Sequence, residues 1–516
     1  MKLEEQIGQQ LMVGIPGTEV TPGVLKLFEE IHPGGVIFYR PNFISARAFR
    51  SLVTDLENAS GKKLLMAVDH EGGRVIHLAE GVTVFPDNLA LGRTKKPFYA
   101  EEQGRIEALE LRRLGIDLNL APTLDVLTET FSPNIGIRSY AVDPNLVARL
   151  GVARIKAMQG GGISACAKHF PGQGHSPLDA HLKLPVLPTT WKEMESIHIK
   201  PFRAAIEAGV DAVMSSHPVY INLDPAPMCP ATFSKRIIRS YLRNDLGFEG
   251  LILSDDLEMG ALKEMGSIGE AACRAVEAGH DMLLVCHSPS AQREVFHSLV
   301  RAYRDKRLDA GELEKSLERI EIIRQKRRKR FGKGEPVQES DGASLAQKIA
   351  REAVCVSKNR SDRAALFSES RSPSVSVIFP RLSELSRQVL IEESMLDEED
   401  FVRSVFGQFG VHPSTVQIVA LDPQDSEIEK AASAAGSSGI TVFFCYDAHL
   451  FPKTRRLLQV LQKSARDCVV VLLRDPYDEE FVEENTVCVN AFGFRGVQIK
   501  AAVECIFSRS MSMTVS

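Results

Sequence analysis

The chain has no apolar run approaching the ~18 residues that a membrane-crossing helix needs. Its opening residues, Met1-Lys2-Leu3-Glu4-Glu5-Gln6, hold no apolar signal core. These two absences give the expectation of a soluble, cytoplasmic protein with no membrane partner. The nine cysteines are scattered and odd in number, and no two stand as C-x-x-C. That spacing argues against a disulfide framework and against a structural zinc site. Cys166 and Cys286 lie in apolar runs and read as buried thiols. Excess charge of one sign is also missing: 62 basic against 67 acidic residues leave a net charge of −5, which offers no global field for nucleic acid. The one basic cluster, R-Q-K-R-R-K-R at 324–330, ends a helical pattern and reads as a solvated helix C-terminus, where cations complement the dipole. The second half contains no P-loop, no G-x-G-x-x-G and no metal-ligand cluster, so neither cofactor nor metal is expected.

What is present is a soluble globular composition, 44% hydrophobic and 25% charged, in a chain of 516 residues that is too long for one ordinary core. Short apolar, β-branched runs recur at 10–15, 35–38, 64–68, 116–120, 162–167, 212–214, 250–253 and 282–285. Helical patterns at 100–114, 144–158, 191–208 and 234–246 separate them. Strand and helix alternate without hairpin signals, which predicts a parallel sheet. Eight such units make a (β/α)8 TIM-type barrel, in preference to an open doubly wound sheet. Several strand ends carry reactive groups, namely Asp69, Lys168-His169, His217, Asp255-Asp256 and His287. A barrel gathers these ends on one face.

A polar helix at 310–331 closes the barrel domain, 1–331, and a linker runs over 332–344. A smaller three-layer α/β domain with a mainly parallel sheet is expected at 345–510, followed by a tail at 511–516. Its strands are predicted at 375–379, 416–421, 440–446, 469–473 and 487–490. Asp475 or Asp478 reads as a helix cap there.

The segment Lys168-His169-Phe170-Pro171-Gly172-Gln173-Gly174-His175-Ser176-Pro177-Leu178-Asp179-Ala180-His181 packs two glycines, two prolines, three histidines, a lysine and an aspartate into one loop. A corner needs no such chemistry. In Asp179-x-His181 the carboxylate can accept the ring N–H, fix the tautomer and raise the imidazole's basicity, as in a catalytic dyad. In Leu251-Ile252-Leu253-Ser254-Asp255-Asp256 an apolar strand ends on two carboxylates. The two-residue period turns Asp255 to the barrel mouth, where a nucleophile belongs, and gives Asp256 a capping role. Asp69, Arg138, Lys168 and His169 are candidate binders of sugar hydroxyls, carboxylates accepting and cations donating. Gly72-Gly73 would permit close backbone approach. Glu71 reads as structural, and His175 as solvent-facing.

The motifs K-H-F-P-G-x-G-x-x-x-x-D-x-H, V-D-x-E-G-G-R-V, I-G-x-R-S-Y and S-D-D-L-x-M together resemble the bacterial β-N-acetylglucosaminidases of glycoside hydrolase family 3, over about residues 8–284. The second half resembles, more faintly, the α/β domain that some members carry, best at Arg474-Asp475-Pro476-Tyr477-Asp478. The resemblance implies a retaining mechanism with Asp255 as nucleophile, His181 as acid/base and Asp179 orienting it. Asp69, Arg138, Lys168 and His169 would hold a terminal β-linked N-acetylglucosamine, as on peptidoglycan fragments. Gln173 stands where many relatives have histidine or lysine, and Ala180 where many have serine. Phosphorolysis on the same fold, a broader β-glycosidase and a non-catalytic sugar sensor stay open as alternatives, and the sequence leaves the oligomeric state undetermined.

Overall fold

The computed structural model describes residues 1–179, 183–330, 339–358, 374–387 and 389–507. They form two compact units. The first comprises 1–71, 77–83 and 95–342; the second comprises 72–76, 84–94 and 343–516. The second unit therefore includes two pieces of the N-terminal half.

In the first unit eight strands run as β1 (Leu11–Gly14), β2 (Gly35–Phe38), β3 (Leu65–Val68), β4 (Leu118–Asn119), β5 (Ser164–Phe170), β6 (Ala212–Ser215), β7 (Leu251–Leu253) and β8 (Leu283–Val285). Their order is β8-β1-β2-β3-β4-β5-β6-β7 and every pair is parallel. A parallel bridge between Leu253 and Met282 joins the two end strands and closes the barrel. All eight strands fall on the predicted runs, because each run is apolar and bounded by helix-forming sequence.

Alternate residues separate two cores. Met12, Ile37, Leu65, Ala67, Leu118, Cys166, Ala212, Met214, Leu251 and Leu253 fill the barrel interior. Val13, Val36, Phe38, Met66 and Val68 face outward onto helical residues such as Leu27, Phe28, Phe49, Leu52 and Leu111. The helix Ala310–Arg330 lies across the amino end of the barrel. Its Ile320 and Ile323 join the interior core. Ser316 Oγ and Arg319 Nη1 donate to Asp281 Oδ1 at 2.9 and 2.8 Å. Arg324 Nη2 donates to the Gly34 carbonyl at 2.8 Å, and Lys326 pairs with Asp211. The start of the basic cluster is thus not a solvated helix end: Arg324 and Lys326 satisfy groups that precede β2 and β6. The segment predicted as one helix at 191–208 contains a π-helical turn, Met194–His198, and the next helix is π-wound over Arg236–Asp245.

The second unit has six strands: β9 (Cys355–Lys358), β10 (Val375–Pro380), β11 (Thr415–Val419), β12 (Ile440–Cys445), β13 (Cys468–Leu472) and β14 (Val487–Asn490). The order is β9-β14-β13-β12-β10-β11, parallel except for β9, which runs antiparallel to β14. Separate apolar cores cover its two faces, making three layers. The antiparallel β9 was not predicted. Its run, Cys355-Val356-Ser357-Lys358, is short and only half-buried apart from Val356. The helix before it spans Glu339–Ala353, so helix already occupies part of the expected linker.

Within this unit the barrel-half segments are held by specific contacts. Arg495, fully buried, donates from Nε to the Gly73 carbonyl at 2.8 Å and from Nη1 to the Leu390 carbonyl at 2.6 Å. Arg93 lies 5.4 Å over the Phe492 ring. Gly73 has φ +50°, and a Cβ there would meet the Asp87 carboxylate at 2.1 Å. The close approach that the glycine pair permits is therefore to Asp87.

Among the described residues, no helix is long and apolar enough to cross a membrane.

Candidate active site

The interior row of each strand continues past its last ladder bond. Leu65 and Ala67 point into the barrel, so Asp69 and Glu71 follow on the same side. Leu251 and Leu253 set the same direction for Asp255, and Cys166 sets it for Lys168. Asp255 and Asp69 thus continue the inward rows of β7 and β3; burial pushes the thiol of Cys286, itself part of the interior core, well up, and Asp256, Asp69 and Asp255 push it further.

Asn119 fixes the end of β3. Its Oδ1 accepts from His70 N at 3.0 Å, and its Nδ2 donates to His70 O at 2.9 Å. Below, Arg154 donates to the Glu71 carbonyl at 2.8 Å and pairs with Glu107 at 2.7 Å, all fully buried. These bonds hold the backbone of His70 and Glu71 at the end of β3.

Glu71 is the hub. Arg138 grips it bidentately, Nε to Oε2 at 2.9 Å and Nη2 to Oε1 at 2.8 Å, and Lys168 Nζ lies 2.6 Å from Oε1. Burial alone would raise the Glu71 carboxyl; Arg138 and Lys168 hold it well below the usual range instead. Lys168 also pairs with Asp69. Burial opposes its charge, but Asp69 and Glu71 lift its pKa above the ordinary lysine value. Arg138 belongs to a one-turn helix, Gly136–Arg138, and its Nη1 donates to the Asn134 carbonyl at 2.9 Å. Its Nη2 lies 3.3 Å from His169 Nε2, while His169 Nδ1 lies 2.7 Å from Asp125 Oδ2. A guanidinium can only donate, so the geometry assigns His169 the neutral tautomer with the proton on Nδ1.

The end of β7 is braced from two sides. His217 Nε2 lies 3.0 Å from the Asp256 carbonyl, and its Nδ1 lies 2.7 Å from Thr232 Oγ1. Asp256 Oδ1 accepts from Glu258 N at 3.1 Å and from Cys286 N at 3.2 Å. Asp256 therefore caps a turn and ties β7 to β8; it does not cap a helix. Asp255 is half-buried, and its Oδ1 accepts from Asp256 N at 2.8 Å. His287 lies 3.3 Å from Asp256, and that bond raises its pKa. Tyr39, between His77 and His287 at 5.1 Å from each ring, completes this wall.

The structure thus brings Asp69, Arg138, Lys168 and His169 into one bonded network at the mouth that Asp255 also faces. Asp179 is half-buried, with its carbonyl accepting from Lys183 N at 3.0 Å. His181 lies outside the described residues. His175, expected to face solvent, instead stacks on His198 with ring centroids 4.1 Å apart.

Sequence reasoning missed Glu71 as the hub and Asp125 as the partner of His169. Glu71 had a signal, since it repeats the inward period of Asp69. Asp125 had a weaker one, as the only carboxylate in the loop Ala121-Pro122-Thr123-Leu124-Asp125 after β4. In the second unit Asp447, His449 and Asp478 come together with ligand-type atoms within 4.8 Å, although no motif announces them. Asp478 accepts from Ala448 N at 2.6 Å and from His449 N and Nδ1 at 3.0 and 2.7 Å; Asp447 pairs with Arg474 at 2.5 Å. Asp478 is therefore a loop anchor, and Asp475 makes no side-chain cap bond to the two-turn 3-10 helix, Pro476–Phe481, that it precedes.

The family model described as the glycosyl hydrolase family 3 N terminal domain matches residues 2–323. A beta-hexosaminidase of Neisseria meningitidis serogroup C is 39% identical over 269 residues, 51% of this chain and 73% of the relative. Among solved structures, a glycoside hydrolase family 3 beta-N-acetylglucosaminidase from Paenibacillus sp. strain FPU-7 superposes with TM-score 0.91 at 29% identity, covering 100% of this chain and 98% of the other. NagZ of Neisseria gonorrhoeae, in complex with N-trifluoroacetyl-D-glucosamine, gives TM-score 0.55 at 31% identity over 67% of this chain and 98% of the other.

Proposed function

Because the chain belongs to glycosyl hydrolase family 3, we propose that it is a retaining, exo-acting β-N-acetylglucosaminidase that releases terminal β-linked N-acetylglucosamine, with peptidoglycan fragments as the natural source. The observation that carries this reading is the network of Asp69, Glu71, Lys168, Arg138 and His169 at the mouth that Asp255 faces. Neutral sugar hydroxyls need acceptors and donors side by side, and such a charge-compensated ring supplies both without a large net field.

Asp255, placed by the strand period, attacks the anomeric carbon and displaces the aglycone. His181 protonates the leaving oxygen, then takes a proton from the water that releases the sugar. Asp179 orients and polarises it. Most retaining glycosidases use a second carboxyl for this task. A histidine whose pKa lies near neutrality suits both half-reactions. Cytoplasmic residence fits the nine cysteines, which are scattered and never spaced as C-x-x-C.

Hydrolysis is favoured over phosphorolysis by the same network. An incoming phosphate needs unneutralised cations, and Lys168 and Arg138 are already paired with Asp69 and Glu71. The test assays the purified protein on aryl β-N-acetylglucosaminides and β-glucosides, with and without phosphate. Free N-acetylglucosamine released at a rate independent of phosphate is the expected result; sugar-1-phosphate as the main product overturns it. Asp255→Ala is expected to lose turnover by several orders of magnitude, and full activity in that variant removes the nucleophile assignment. His181→Ala is expected to spare aryl glycosides with acidic leaving groups in the first step, because these depart without a proton.

A further inference from the structure

The loop that leaves β5 at Phe170 is pinned where it departs. Asp125 Oδ1 accepts from Gln173 N at 2.7 Å, and the Gly172 carbonyl accepts from Tyr220 OH at 2.9 Å. The Gly174 carbonyl accepts from Thr128 N and Glu129 N at 3.1 and 3.2 Å, and a Cβ on Gly174 would meet the Val126 carbonyl oxygen at 2.0 Å. The returning end is pinned as well, by parallel pairing of Val186–Leu187 with Val219–Tyr220. One side chain links the two ends directly: His175 Nε2 lies 2.6 Å from Thr189 Oγ1. Asp179 and His181 fall between these two points in the chain.

His175 does not reach Thr189 freely. Its ring sits on that of His198 at 4.1 Å and 34°, and His198 is 3% exposed. Neither His175 Nδ1 nor His198 Nδ1 has a hydrogen-bond partner, although both atoms are buried. A pair serving packing alone would carry apolar rings, since a buried ring nitrogen without a partner is destabilising. For His175 the bond between Nε2 and Thr189 Oγ1 gives the polar ring a use that an apolar ring could not supply.

We propose that His175 is a positioning residue for proton transfer: seated on His198, it ties the outgoing end of the loop to Thr189 and so sets the span from which Asp179 and His181 reach the substrate. This rests on the reading of His181 as the acid/base. Burial lowers the His175 pKa to about 4 and that of His198 to about 3; the charge of His175 lowers His198 further, while Asp125 and Glu193 oppose both shifts. Both rings are neutral at pH 7, so the link is a bond between uncharged groups, insensitive to salt.

His175→Phe keeps a ring on His198 and removes the bond; Thr189→Val keeps the shape and removes the hydroxyl. Each is compared with the parent protein on aryl β-N-acetylglucosaminides spanning a range of leaving-group acidity, after circular dichroism has confirmed the fold. Misplacing an acid costs about 10- to 100-fold where protonation is needed. kcat/KM is therefore expected to fall about 10-fold or more for the least acidic leaving groups and to change less than about twofold for the most acidic. In the His181→Ala background either substitution is expected to add no further leaving-group dependence, because the residue acts through His181. A loss equal across the series, or no loss, overturns the proposal. If His175→Phe does not fold, Thr189→Val decides alone. A parent protein inert towards every β-N-acetylglucosaminide overturns the glycosidase reading, and this inference falls with it; an active parent with unaltered dependence in the variants overturns this inference only.

Discussion

At the scale of the residue, two buried carboxyl groups are shifted in opposite directions. Glu71 is held well below the ordinary carboxylate pKa by Arg138 and Lys168 against the pull of burial. Its contribution to stability is therefore complete above the unfolded value of about 4.3 and is lost as pH falls through the lower folded value. Glu71→Gln is expected to flatten that acid limb and to cost about 3–5 kcal/mol at neutral pH, because two cations stay buried; urea unfolding across pH reads both. Asp87 is the reverse case. Burial raises it to about 7, although Arg74 N donates to its Oδ1 at 2.6 Å. Its ionisation works against folding, so the second unit is expected to lose stability as pH rises from about 4 towards 7. Asp87→Asn keeps the acceptor and removes the charge. Thermal unfolding of this variant is expected to vary less with pH over that window, and an unchanged pH dependence contradicts the assignment.

At the scale of the element, apolar runs and the period of two within them explain most of what was legible. Short apolar runs bounded by helical sequence located the eight barrel strands, and the period of two separated Asp255 from Asp256, because an apolar strand declares its inner row before it ends. It gave no access to Asp125 or to the loop anchor Asp478, whose partners are 44 and 29 residues away in the chain. Nor did local pattern show where the helix Ala310–Arg330 lands. The sequence read it as a polar helix that closes the barrel domain, with a solvated basic end, whereas Ile320 and Ile323 enter the barrel interior and Arg319 meets Asp281. Long-range pairing of this kind leaves no local periodicity to read. Ile320→Ala is expected to cost about 2–5 kcal/mol, the range for a truncated core aliphatic residue, measured by denaturant midpoint. A cost below about 0.5 kcal/mol, typical of a surface site, would contradict burial of this helix against the barrel interior.

At the scale of the molecule, the second unit owns segments 72–76 and 84–94, which lie between β3 and β4 in the chain. Gly72 directly follows Glu71. A chain ending at residue 333 loses Arg495, which holds the Gly73 carbonyl, and Phe492, beneath Arg93. It is expected to show fast amide exchange over 72–76 and 84–94 and reduced turnover. Undiminished turnover with unchanged protection would mean that the barrel-half segments hold their form unaided.

The polypeptide passes between the two units at 71/72, 76/77, 83/84, 94/95 and 342/343, five times in all. A unit attached by one linker can be inherited as a cassette, by a single recombination at the linker. This one cannot. Exchanging 343–516 alone would strand two short segments whose partners had left, so a viable hybrid needs three pieces replaced together. A chimera built by one crossover is therefore expected to express poorly beside one that also transplants 72–76 and 84–94.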